Sequence, residues 1–183
     1  QNNLWIKSQR SFIKMFFPPS PYTYRELDNY FDTKSFLFDS DEHLWIATKK
    51  GIIRIMDSQK NLLGYLSPDG ELAQTETVFA EGGIYVMLKD QAQTIWLGSK
   101  ENGLFRLVPR NRPYHYEVYH YMNNPSDPYS ISDNKISCID EDHNGRIWIG
   151  TYGGGLNLVE EKEDGAIRFI HAENKLSGFP INR

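Results

Sequence analysis

The chain has little of what usually gives a protein away. It has one cysteine, Cys138, so no internal disulfide can form, and the apolar alternation of KISCID around it predicts a buried, inert thiol. A single cysteine leaves the redox compartment open. The net charge of −4 lacks the basic excess that a nucleic-acid-binding domain carries. No apolar run approaches the roughly 20 residues that cross a bilayer, so membrane attachment could come only through other parts of a full-length protein. Helical periodicity is also missing: RELDNYFD, residues 25–32, is the best candidate, and it is short. The opening QNNLWIK has neither a basic nor an apolar signal region and reads as the start of a processed or excised piece. The histidines, His43, His115, His120, His143 and His171, fall at no spacing that resembles a zinc site. No catalytic residue, metal ligand or cofactor motif stands out.

The chain is rich in repetition instead. Its four tryptophans, Trp5, Trp45, Trp96 and Trp148, all occupy the same slot in a unit of 40 to 52 residues. Asp39, Asp90 and Asp142 stand six residues before the last three. A small hydroxyl follows each tryptophan by three residues, at Ser8, Thr48, Ser99 and Thr151. A glycine then precedes an apolar strand at Gly51, Gly103 and Gly155; Ser11 takes that place in the first, most degenerate copy. Aspartate at the end of a strand satisfies turn N–H groups with its own oxygens, which favours a structural role over acid or metal chemistry. The glycines suit sharp turns where a side chain would clash.

Each unit reads as four short strands. KISCIDED, RIWIGT, GLNLV and AIRFIHA form one set, SFLFDS, LWIAT, GIIRI and NLLGYL another, and IYVMLKD, TIWLGS, GLFRLV and YHYEVYHY a third. Runs such as IWI and IWL are apolar at consecutive positions, the mark of a sheet covered on both faces. Four-stranded sheets of that kind at this repeat length are the antiparallel blades of an all-β propeller, with each indole wedged between neighbouring blades. The expected division is a partial blade and loop over 1–33, blades over 34–83 and 84–134, and a blade with the lead-in to the next over 135–183. Three complete blades and a partial one make a propeller fragment, because closed rings need four to eight. Its open strand edges predict either the remaining blades of the same ectodomain or self-association of two copies.

DHNGRIWIGTYGGGLN, Asp142 to Asn157, resembles the two-component regulator propeller repeat, and NPSDPYSISDNKISCIDED before it resembles the linker of that repeat. The resemblance covers the whole chain, weakening toward Trp5. It implies part of the extracytoplasmic, periplasmic sensor region of an inner-membrane histidine kinase of the Bacteroidetes hybrid two-component type. It also implies that the segment itself is no enzyme, that it senses an oligosaccharide, and that it signals to activate genes for glycan utilisation. A protein–protein scaffold is the alternative, with a propeller glycan lyase or hydrolase behind it.

The ligand is expected on the rim formed by the loops between second and third strands. Those loops carry Arg10, Lys49, Lys50, Lys100, Glu101, Asn102 and Tyr152. Basic residues on equivalent loops of an acidic chain could gather an anionic sugar, although exposed lysines also simply keep loops soluble. The blade-to-blade segments Pro18 to Lys34, Ser67 to Gly83, Met122 to Lys135 and Ala172 onward read as long loops, where binding is commonly found.

Overall fold

A computed structural model describes residues 32–163 and 165–171, together with the backbone of three strands nearer the start. All sixteen described elements are strands. The chain divides into a small unit, residues 1–33, and a larger one, residues 34–183.

The small unit contains β1 (Asn3–Lys7), β2 (Ser11–Phe16) and β3 (Thr23–Glu26), joined in that order as an antiparallel sheet. Trp5 lies opposite Lys14, and Phe12 lies opposite Arg25. The segment read as a loop from Pro18 therefore contains a strand. Arg25 and Glu26, the start of the best helical candidate, belong to that strand, in keeping with the missing helical period; residues 27–31 lie outside the described residues.

The larger unit holds three sheets that run in sequence order. The first joins β4 (Thr33–Phe38), β5 (Leu44–Thr48), β6 (Ile53–Met56), β7 (Leu62–Leu66) and β8 (Leu72–Ala73). The second joins β9 (Ile84–Lys89), β10 (Ile95–Ser99), β11 (Leu104–Pro109) and β12 (Tyr116–Tyr121). The third joins β13 (Ile136–Glu141), β14 (Ile147–Thr151), β15 (Gly155–Glu161) and β16 (Ile167–His171). Each is an antiparallel meander of the expected strands. The first adds β8, which pairs Tyr65 with Ala73 and Leu66 with Leu72, inside the stretch read as a loop from Ser67. The sheets meet through β9, the first strand of the middle sheet, which packs against β5, the second strand of the preceding sheet, on one side and against β13, the first strand of the following sheet, on the other.

Strand β10 shows why consecutive positions are apolar. Ile95 and Leu97 enter a core shared with Trp45, Ala47, Ile53 and Ile55 of the preceding sheet. Trp96, between them, enters a second core with Ile136, Ile139, Ile149 and Phe169 of the following sheet. A strand alternates faces at every residue, so both faces of this sheet are covered. Trp45 is fully buried and packs on Tyr114 and Tyr116 of the next sheet, with ring centroids 6.2 and 5.7 Å away. Trp45 and Trp96 are thus the wedges that the repeat predicts. Trp148 occupies the same position on the last sheet and is half-buried. The Trp5 side chain lies outside the described residues.

The last sheet also corrects the reading of Cys138, whose thiol is exposed. A register shift between Ile136 and Cys138 keeps Ile136 and Ile139 against the preceding sheet. Ser137 and Cys138 are thereby turned out to the opposite side. Alternation had placed the sulfur inside because it assumed an uninterrupted strand.

Candidate functional site

At one end of the larger unit, the turns after β5, β10 and β14 are built alike. The hydroxyl three residues past each tryptophan donates across the turn: Thr48 to the Ile52 carbonyl (3.2 Å), Ser99 to Gly103 (2.9 Å) and Thr151 to Gly155 (3.0 Å). The same oxygens accept backbone N–H groups from Ile52, Asn102 and Gly154. Gly51, Gly103 and Gly155 have φ of 79°, 67° and 76°, a region that L side chains rarely adopt. A Cβ on Gly51 or Gly103 would also overlap a backbone carbonyl, of Ala80 or Tyr121.

The connectors between sheets lock these turns together. Phe79 N–H donates to Gly51 O (2.8 Å) and Lys100 N–H to Gly83 O (3.3 Å), so one connector spans the first two turns. Gly103 N–H donates to Asn134 O and Tyr152 N–H to Lys135 O, both at 2.9 Å, so the next connector spans the second and third. Lys49, Lys50, Lys100, Glu101, Asn102 and Tyr152 therefore share one continuous rim; Arg10 lies outside the described residues.

Their environments differ. Lys49 and Lys50 are exposed. Lys100 pairs with Glu101 at 3.6 Å, which offsets part of its charge. Asn102 is held from both sides: its N–H donates to Ser99 Oγ (2.6 Å), and its carbonyl accepts from His120 Nε2 (2.7 Å). That imidazole lies flat on Phe105, with ring centroids 4.2 Å apart. Tyr152 is 75% exposed, more than any other large apolar side chain described. Beneath its loop, buried Asn157 accepts from Ser132 N–H (3.0 Å) and donates to Ser132 Oγ (2.8 Å), while Ser132 Oγ lies 3.1 Å from Thr151 Oγ1. These bonds hold the base of the loop from which the phenol ring projects.

Sequence reasoning missed Lys135. Its ammonium lies 3.6 Å from the centre of the Tyr152 ring, a close cation–π contact. The available signal was its place at the end of a connector, directly before β13.

The opposite end carries the aspartate turns. Asp39 Oδ1 accepts the N–H groups of Asp41 and His43, Asp90 Oδ1 that of Thr94, and Asp142 Oδ1 those of Asn144 and Arg146. The second oxygen accepts the indole N–H six residues on, at 3.1, 2.8 and 2.9 Å for Trp45, Trp96 and Trp148. The aspartate thus closes the turn and satisfies the wedge, which accounts for the fixed spacing. The Trp148 indole, aided by Arg146, holds the Asp142 carboxyl well below the usual carboxylate range. Asp39, Asp41 and His43 bring three possible metal-ligand atoms within 4.8 Å of one another. Both Asp39 oxygens are engaged, however, and His43 Nδ1 is hydrogen-bonded to Tyr114 Oη.

Comparison with known proteins agrees with this geometry. Residues 130–153 match the family described as two component regulator propeller. Histidine kinase P4 of Formosa agariphila is 24% identical over 165 residues, covering 82% of this chain and 11% of that protein. The extracellular domain of the hybrid two component system BT3049 from B. thetaiotaomicron superposes with a TM-score of 0.60 at 23% identity, over 93% of this chain and 21% of that one. Virginiamycin B lyase from Staphylococcus aureus superposes with a TM-score of 0.52 at 19% identity, over 81% of this chain and 44% of that one. The chain thus spans about a tenth of the curated relative and about a fifth of the sensor structure. The matched residues include the Ser132–Thr151 support of the rim, the Asp142–Trp148 link and the start of the glycine turn, so this stretch of the chain is similar to the two-component regulator propeller family.

Proposed function

We propose that the chain is the ligand-sensing propeller of an extracytoplasmic, membrane-bound two-component histidine kinase. It recognises an oligosaccharide at the rim of Lys49, Lys50, Lys100, Lys135 and Tyr152, and binding is relayed to genes for glycan breakdown. The observation that carries the site is the exposed Tyr152 ring, borne on a loop held by the Asn157–Ser132–Thr151 hydrogen bonds and contacted by Lys135. A rigid aromatic face can stack on a sugar ring, and the surrounding lysines favour one that carries carboxylate or sulfate groups. The likeness to sensor proteins supports the kinase setting.

The test is a thermal-shift screen of the intact protein against neutral and acidic oligosaccharides. A true ligand at about 100 times its Kd adds roughly 2.7 kcal/mol of stability. Tyr152→Ala weakens that binding at least about tenfold while leaving the unliganded Tm unchanged, because the ring is mostly in solvent. Unaltered affinity in Tyr152→Ala and in the Lys49, Lys50 and Lys100 alanine triple variant would move the site elsewhere. Turnover of the sugar would make the protein a lyase or hydrolase.

A further inference from the structure

A groove of about 420 Å³ opens at the end opposite that rim, between the 39–41 turn of one sheet and the 109–116 loop of the next. Its size falls within the range of small-ligand sites. The charge on its walls is segregated by sheet. Asp39 and Asp41 line one wall; Lys89, Arg110 and Arg112 line the other. Tyr114 and Tyr116 supply apolar surface between them, with Ile95 buried at the base.

Most of these charges are already committed. Asp39 is bound to backbone and to Trp45, Arg110 pairs with Glu117, and Arg112 pairs with Glu71 at 2.9 Å. The Asp41 carboxylate and the Lys89 ammonium have no hydrogen-bond or ion-pair partner among the described residues. One free anion thus stands on the acidic wall and one free cation on the basic wall.

The groove is also preformed. The 109–116 loop is tied to the preceding sheet by Tyr114 to His43, by Arg112 and His115 to Glu71, and by Tyr116 N–H to Gly70 O at 2.9 Å. Tyr114 holds a φ of 54° within this loop. A ligand therefore meets walls whose spacing is set before it arrives, which lowers the entropy lost on binding.

From this arrangement we infer that the groove is a second binding site, for a compact zwitterion carrying a primary ammonium and a carboxylate. The ligand's ammonium faces Asp41 and its carboxylate faces Lys89, with an apolar side chain over Tyr114 and Tyr116. A singly charged molecule is attracted by one wall and repelled by the other, and a neutral one leaves both charges to be desolvated without compensation. Only a ligand with both charges gains at each wall. A free amino acid or a dipeptide has that chemistry at the right size. This site goes beyond the oligosaccharide reading and shares no residue with it.

The experiment is calorimetric titration of the intact protein with leucine and glycyl-leucine, with N-acetyl-leucine and leucinamide as singly charged controls. At least one zwitterion should bind about tenfold or more tightly than both controls. Asp41→Asn and Lys89→Gln should each weaken it about tenfold or more, whereas Lys89→Arg and Tyr152→Ala should not. Circular dichroism checks that each variant keeps its sheet signal, and Lys89→Arg keeps the test decisive should the neutral variants misfold. No binding by either zwitterion, equal binding by a control, or affinity unmoved by both charge-removing variants would overturn the inference.

Discussion

Replacing Asp90 by asparagine should be nearly as damaging as replacing it by alanine, although the two residues have almost the same shape. Asp90 is 92% removed from solvent at 8% exposure, and each of its oxygens faces an N–H donor: Thr94 at 2.8 Å and the Trp96 indole at 2.8 Å. A carboxylate is acceptor-only and serves both, whereas an amide offers one acceptor and turns its NH2 toward the other donor. Either orientation leaves a buried N–H unsatisfied, at about 1–3 kcal/mol, and loss of the turn or repulsion between donors adds about 1 kcal/mol. The expected total is roughly 2–4 kcal/mol for both variants, a fall in Tm on the order of 10 °C for a chain of this size. Urea and thermal denaturation provide the measurement. A second comparison isolates the indole: Trp96→Phe has no N–H to strand, so Asp90→Ala in that background should cost about 1–2 kcal/mol less than in the native chain. Wild-type stability in Asp90→Asn, or strictly additive effects of the two changes, would show that the carboxylate–indole link is not what fixes the six-residue spacing.

Two further outcomes follow from the same geometry. Gly51→Ala should cost at least about 2–4 kcal/mol by denaturant titration, because it combines a positive φ with overlap of the Ala80 carbonyl; Gly165→Ala, with φ of 80° but open space around it, should cost only about 1–2 kcal/mol. Asp142 has its folded pKa depressed by Trp148 and Arg146, so its contribution is fully present above the ordinary carboxylate pKa of about 3.9 and is lost as pH falls toward the folded value. The gap in urea midpoint between the native chain and Asp142→Asn should therefore be widest near neutral pH and shrink below pH ~4; a gap that stays constant there would rule out the assigned cause.

How much of this was legible in the sequence depends on how far apart the interacting residues lie. The turn hydroxyl reaches a carbonyl four residues away, the aspartate reaches an indole six residues away, and the glycine follows within the same hairpin. Such links must recur at fixed offsets in every copy, so repetition exposes them, and the blades and wedges could be read directly. Links between sheets carry no such constraint. Glu71 meets Arg112 across 41 residues, and His43 meets Tyr114 across 71. Each is made once, by a loop whose length varies from copy to copy, and no offset announces it. For that reason the second groove was invisible to pattern, as were the short strand β8 and the placement of Lys135 over Tyr152. The exposed Cys138 follows the same logic, since one shifted register is enough to reverse a side chain that alternation had assigned to the core. In a propeller, then, the repeat encodes how a blade is built, and the irregular residues between repeats encode what the assembled surface can hold. Sites on such a protein should be sought where the copies differ: the Tyr152 turn, and the 109–116 loop.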